Sequence, residues 1–527
     1  MIQRARFETA LLAAIVLFAG AYRLAMLDVP FGRDSEGCGA FFGLLARNYF
    51  RYDWSITHGI PVMSMGQGQE PFYYANHPPT TAFLIAIVDA LAGYHGQYDV
   101  LPGEWTVRLP TTIFTLACVI AIYLLLKRRA APRAGLIAAA VFASIPLTLM
   151  FGGLADVISP QLVFFAIITV TAYESFHDCP GGRKLLILSA AFFGAAVTDW
   201  PAFFLLPVLG IHFVLTRNSR QWSWFVAFGL ISTVYFLGVY AYLTMGQPGW
   251  WWLVEQFSHR AIRTSGDSFR AYSFVQWLRH AVWELGIARH TLLISILGLL
   301  WLPIAAARRF SRPADSAAGL LLIWGLLHVL IGRQGVYQHE WWWWPLTPGL
   351  VIAAALLIDD VFCWMQKRIG FSAVAANIAL SVGLACFAAW NTWTVLTPIG
   401  PGPFDYSLAD LGKAVRDNTP PDQIAMIAES DQSLAFWYYA DRGVRRQIWD
   451  LPTFQRRLDD TSVDLSFDAF RPWKAPVRVM IVPKNYLNHL VPPLLEYLNS
   501  HYFQRDSGHF VVYDLASPTT QSSQIAR

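Results

Sequence analysis

The chain has 527 residues, of which 55% are apolar and only 14% charged, with a formal net charge of +4 at neutral pH. Such a composition excludes a soluble enzyme on a single anchor and points to an integral membrane protein. The basic residues sit in short loops between apolar runs and form no continuous stripe, so nucleic acid is excluded as a partner. The five cysteines, Cys38, Cys118, Cys179, Cys363 and Cys386, offer neither a disulfide framework nor zinc spacing.

Arg4 and Arg6 precede an apolar run that reaches Leu27, longer than a signal-peptide core and without a convincing cleavage site, so it is read as an uncleaved first span. Crossing hydrocarbon takes about 20 apolar residues, with roughly 17 as a minimum. Residues 9–27, 109–126, 134–151, 157–175, 222–244, 291–307, 345–362 and 372–393 meet that test, and 185–199, 201–216 and 316–331 are shorter or interrupted runs that the loop charges require. The expectation is a mainly α, polytopic membrane protein of about 11 transmembrane helices. Lys and Arg collect at alternate loops: Arg4 and Arg6; Lys127 to Arg133; Arg183 and Lys184; Arg217 and Arg220; Arg308 to Arg312; Lys367 and Arg368. The positive-inside rule puts that set, and the N-terminus, in the cytoplasm.

Residues 1–397 then form a transmembrane catalytic domain, with 28–107 as a first extracytoplasmic loop. Residues 398–527 form a small extracytoplasmic α/β domain after the linker Pro398 to Pro403. Its β-rich runs are 424–428, 477–482 and 510–513, and its helical stretches 432–440 and 492–501. Within the first loop, 38–52 and 80–91 carry apolar residues at helical spacing and are expected to lie along the interface. No internal repeat and no Gly-rich nucleotide loop is present, and the chain lacks an Asn-x-Ser/Thr sequon, which leans towards a bacterial inner membrane.

Chemistry-bearing residues gather in the outer loops. The first holds Arg33, Asp34 and Glu36, then Asn76 and His77 before Pro78-Pro79. The second, 152–160, holds Asp156, an aspartate flanked by apolar spans and therefore expensive unless it serves a function. The long loop 246–290 has Trp250 to Trp252 followed by Arg260 and Arg263, and His339-Glu340 precede the tryptophan run 341–344. The tryptophans read first as an interfacial belt.

Four features together resemble the GT-C class of membrane glycosyltransferases, in the branch of the protein O-mannosyltransferases and lipid A aminoarabinose transferases. They are the acid just after the first span (Asp34, with Glu36), the basic-Pro-Pro element (His77-Pro78-Pro79, where lysine is usual), Arg108-Leu109-Pro110 opening the second span, and Asp156 ahead of the fourth. The resemblance implies a hexosyl- or pentosyltransferase that uses a polyprenyl-phosphate-linked sugar on the outer face. The acceptor would be a lipid, glycan or protein, and no nucleotide cofactor is implied. Such transfer needs a base for the acceptor proton and cations for the departing phosphate. Asp34 is the base candidate, with Asp156 as a second catalytic acid. Arg33, His77, Arg260 and Arg263 are candidates for the phosphate, and Glu36, Asn76, His339 and Glu340 for substrate contact. Histidine in place of lysine leaves room for a divalent cation. Two other readings remain open: a transporter or flippase of lipid-linked sugars, and a glycan ligase using a pyrophosphate-lipid donor.

Overall fold

A backbone in hydrocarbon has to satisfy its own hydrogen bonds, and in the computed structural model nearly every apolar run is helical. The structure describes residues 2–31, 37–156, 158–216, 222–246, 250–261, 272–310, 312–370, 372–396, 407–428, 434–460, 462–464 and 470–518. Contacts divide the chain into two units, one of residues 1–27, 75–81 and 108–397, the other of residues 28–74, 82–107 and 398–527.

Among the described residues, six helices are long and apolar enough to cross a membrane: Arg6–Ala25, Glu104–Arg128, Trp222–Thr244, Pro313–Ile331, Glu340–Ile369 and Val374–Leu396. A seventh is reached if Phe274–His290 and Leu292–Ala307, bent by 100° where Thr291 takes a φ of 67°, count as one broken span. The remaining expected spans are also helical but shorter or interrupted. Pro146 splits 134–151 into Pro132–Ser144 and Pro146–Phe151, because its ring cannot continue the preceding helix. Gly182–Ala196 and Leu205–Thr216 are separated by a tight 3₁₀ turn, Trp200–Phe204.

Helices approach closely through small residues, as membrane helices do. A Cβ on Gly349 would strike the backbone of Leu322. At one end of the bundle the basic residues noted above meet acids: Arg133 and Asp359 pair, Arg308 lies 2.9 Å from Asp360, Arg312 bridges Asp360 and Asp315, and Arg129 lies 2.6 Å from the buried Glu174.

The second unit contains a seven-stranded mixed sheet built from β1 (Ile424–Ile427), β2 (Gly443–Arg445), β3 (Ser462–Asp464), β4 (Phe470–Pro472), β5 (Val477–Pro483), β6 (Tyr502–Ser507) and β7 (Phe510–Pro518). The order is β4-β3-β2-β1-β5-β7-β6, with β1 parallel to β2 and β5 and every other pairing antiparallel. Met426, Met480, Val482 and Tyr513 from the sheet share a core with Phe454, Leu494 and Leu498 from the helices Leu451–Asp459 and Pro492–His501.

The helix Leu434–Ala440 is buried almost throughout and joins this sheet module to the first loop. Phe31 sets its ring edge-on to Tyr438 at 5.3 Å, and Gly43 in the helix Gly37–Asn48 leaves room for the same tyrosine. The Tyr438 hydroxyl donates to the Pro102 carbonyl and the Tyr439 hydroxyl to Glu104, at 2.7 and 2.6 Å.

Next to this aromatic contact Asp441 has no exposed side-chain surface and is held by two arginines. Arg47 lies 2.9 Å from Oδ1, and Arg51 donates to both carboxylate oxygens at 2.7 Å. Asp441 has a φ of 47°, a left-handed conformation that residues with a Cβ seldom adopt. Asp441→Ala would leave two buried guanidiniums without their anion. It is expected to destabilise this unit by about 3–5 kcal/mol, read as a lower melting temperature and faster proteolysis of the full-length protein.

Asp89 is fully buried in the helix Thr80–Leu91, and neither carboxylate oxygen has a hydrogen-bond partner among the described residues. Burial pushes its carboxyl up to about 7, against the opposing pull of Thr106 and Arg47. A carboxyl raised in the folded state binds more protons there than in the unfolded chain between about pH 4 and this value, so stability falls as pH rises across that window. Asp89→Asn should flatten the slope of melting temperature against pH over that range, by up to about 1.4 kcal/mol per pH unit.

Candidate functional site

Residues 76–81 are fastened to the turn 197–200, and both segments belong to the first unit. The two prolines after His77 drive that residue towards extended backbone and end at the first turn of the helix Thr80–Leu91. There the Thr80 hydroxyl donates to the Val197 carbonyl at 2.5 Å, and the Trp200 indole N–H donates to the Asn76 carbonyl at 2.8 Å.

At the centre is a histidine and a buried carboxylate. His77 Nδ1 lies 2.8 Å from Asp199 Oδ1, with the aspartate side chain wholly buried and the histidine about a fifth exposed. Asp199 also caps the 3₁₀ turn by accepting the Trp200 backbone N–H at 2.8 Å. Its second oxygen has no hydrogen-bond partner among the described residues. His328, fully buried on Pro313–Ile331, is within electrostatic reach of the same carboxylate. Commitment of Nδ1 to a carboxylate fixes the ring's orientation.

The rest of the site grows outward from this pair. Trp252 Nε1 donates to Asn76 Oδ1 at 3.0 Å, which brings the tryptophan run 250–252 to the loop before His77. The Thr81 hydroxyl donates to the Asp156 carbonyl at 3.1 Å, so the second outer loop adjoins the same turn. That loop is held by a chain of polar contacts inside the bundle: Thr115 to the Gly152 carbonyl at 2.6 Å, Gln161 to Thr111 at 3.0 Å, and Ser159 to Gln161 at 2.5 Å. Asp156 itself is 7% exposed.

His339 stacks on Trp341 with ring centroids 4.8 Å apart, and Trp341 lies against Phe151 at the start of the second outer loop. Glu340 forms an ion pair with Arg289 at 2.5 Å.

Among the residues expected from the sequence, Asn76 and His77 lie on this segment, the Asp156 backbone adjoins it at Thr81, and His339 reaches the start of the Asp156 loop only by way of Trp341 and Phe151. Glu340 is engaged with Arg289. Arg33, Asp34, Glu36 and Arg263 lie outside the described residues, and Arg260 falls on the helix Trp251–Ala261 with its side chain outside the description. Asp199 was missed by sequence reasoning, although the argument applied to Asp156, an aspartate in a tiny loop between apolar runs, fits it equally well.

His77 and Asp199 are two side chains of metal-ligand type, one fewer than an open catalytic metal site takes from its protein. Among the described residues no group of three His, Cys, Asp or Glu gathers closely enough to hold an ion.

Residues 76–252, about a third of the chain, match the family model for dolichyl-phosphate-mannose-protein mannosyltransferase. No curated protein sequence matches the chain. Solved structures align over nearly its full length. ArnT from Cupriavidus metallidurans bound to undecaprenyl phosphate has a TM-score of 0.60 at 14% identity, covering 96% of this chain and 97% of that one. The same protein in the apo state has a TM-score of 0.60 at 15% identity, covering 98% and 99%. The oligosaccharyltransferase of Archaeoglobus fulgidus in complex with Zn and sulfate has a TM-score of 0.57 at 14% identity, covering 96% of this chain and 73% of that one. At such identities the likeness carries the fold, while the family-model match falls on the segment that holds His77, Asp156 and Asp199. That segment therefore carries a likeness to the mannosyltransferase family, inside a chain that shares its fold with the membrane proteins just named.

Proposed function

We propose that this enzyme moves a sugar from a polyprenyl-phosphate donor to a lipid, glycan or protein acceptor on the extracytoplasmic face of a bacterial inner membrane. The observation that carries the reading is the His77–Asp199 pair at the basic-Pro-Pro position, inside the segment matched by the family model. The C. metallidurans protein of the same fold was crystallised with undecaprenyl phosphate, which supports a lipid phosphate as the donor's carrier. The alternating basic loops support about eleven crossings, the shorter helices included, with the N-terminus inside and residues 398–527 outside.

In this reading Asp34 takes the proton of the acceptor hydroxyl as its oxygen attacks the anomeric carbon. The new C–O bond forms on one face while the bond to phosphate breaks on the other, inverting that carbon, and the electron pair leaves with the lipid phosphate. His77, held by Asp199 through Nδ1, stands where the family usually has lysine and contacts the departing phosphate. Arg33, Arg260 and Arg263 add cationic contacts, while Asp156 and Glu36 serve as further acidic groups of the site and Asn76, His339 and Glu340 border the substrate. The zinc belongs to the archaeal structure.

Four substitutions test the assignment. Asp34→Asn should express and fold as the parent does and lose transfer by at least about 100-fold, measured as sugar release from a purified polyprenyl-phosphate donor; normal turnover would remove Asp34 from the chemistry. His77→Ala and Asp199→Asn should both weaken donor use, the first by about 100-fold and the second less. His77→Lys should retain activity, because an ammonium can meet the same phosphate oxygen. A lysine variant as inactive as the alanine one would exclude a phosphate contact at this position.

A further inference from the structure

The first loop contains a concavity whose lining residues all belong to the second unit. Its volume is about 580 Å³, within the usual range for small-molecule sites. Two tyrosines, Tyr52 and Tyr98, supply aromatic faces, and Gln67, Gln69, Asp53 and Glu70 supply amide and carboxylate groups.

The walls are held in place from behind. Arg51 lies 4.0 Å over the Tyr98 ring, and its guanidinium is itself fixed by the two hydrogen bonds to Asp441. The Tyr52 hydroxyl donates to the Gln69 carbonyl at 3.1 Å. Gln69 is only 5% exposed and accepts the Met65 N–H at 2.8 Å through Oε1, while Nε2 has no partner among the described residues. The chain between the two glutamines turns through Gly68, whose φ is 83° and around which a Cβ would meet nothing within 4 Å. The Gln67 N–H donates to the Pro421 carbonyl at 2.8 Å, which ties this turn to the C-terminal module.

Charge narrows the ligand. The one cation of the lining, Arg51, shares Asp441 with Arg47, so that trio keeps a single positive charge, and the two exposed carboxylates Asp53 and Glu70 outweigh it at the rim. An anionic ligand is disfavoured there. Aromatic faces beside amides and carboxylates suit a pyranose, whose C–H faces pack on a ring while its hydroxyls both donate and accept. A peptide would call for aliphatic pockets, and Ile56 is the only aliphatic side chain of the lining apart from Pro71.

We propose that this groove binds a non-anionic oligosaccharide and serves as the acceptor-recognition site, so that the acceptor is a glycan or carries one. The inference rests on the glycosyltransferase reading above, and the experiment separates the two. Full-length protein in nanodiscs is applied to an array of defined neutral, amino-sugar and carboxylated or sulfated oligosaccharides, with a random-peptide array beside it. Undecaprenyl phosphate binding is followed by native mass spectrometry on the same sample.

Retention of neutral or amino oligosaccharides is expected, reduced at least tenfold in Tyr98→Ala and kept in Tyr98→Trp. Glu70→Lys, a substitution on the exposed rim, should gain binding to the acidic set. The proposal is overturned if no glycan is retained, if acidic and neutral glycans bind the parent equally, if peptides bind instead, or if both Tyr98→Ala and Glu70→Lys leave the pattern unchanged. Loss of undecaprenyl phosphate binding with glycan binding intact would count against the donor assignment and leave the groove standing.

Discussion

A carboxylate without exposed surface has to find its counter-charge or hydrogen-bond donors inside the protein, and at Asp199 it finds them in His77 and the Trp200 backbone. Much of the first unit's chemistry depends on that requirement. The 3₁₀ turn that presents Asp199 also places the Trp200 indole on Asn76. The neighbouring threonines, Thr80 and Thr81, tie the same segment to Val197 and to the Asp156 loop. A loop that sequence alone leaves open is thereby given a fixed geometry, with the imidazole held through Nδ1.

The second unit meets the same requirement with two guanidiniums in place of one imidazole. Asp441 is one acid between two buried arginines, and it lies where the C-terminal module meets the helix Gly37–Asn48. The aromatic ring pairs around Tyr438 and Tyr439 exclude water from these charges, which strengthens each ion pair and raises the penalty for losing a partner. The helix that starts immediately after the Asp34 loop therefore depends on an aspartate four hundred residues further along the chain.

Breaks in the transmembrane helices fall close to the site rather than at random. Pro146, the Trp200–Phe204 turn and the 3₁₀ segment Glu340–Leu346 each interrupt a helix beside a loop that carries a candidate residue. Irregular backbone at membrane depth survives only where protein or water satisfies its polar groups. The contacts from Thr115 to Gly152 and from Trp324 Nε1 to the Pro201 carbonyl are of that kind.

Composition and hydropathy alone determined that this is a polytopic membrane protein, because 55% apolar residues arranged in runs of about 20 have no other stable setting. The order of acid, basic-Pro-Pro and second-loop aspartate was enough to suggest the glycosyltransferase class. The strands at 424–427, 477–483 and 510–518 were legible from their β-rich runs, and the helices Thr80–Leu91 and Pro492–His501 from apolar spacing. Only the tertiary structure decided that Asp199 is the partner of His77 and that residues 28–74 and 82–107 share a unit with 398–527. The physical reason is common to both. Hydropathy and motif order are properties of neighbours in sequence, whereas a buried charge chooses its partner by distance in space, 122 residues away for His77 and 390 for Arg51.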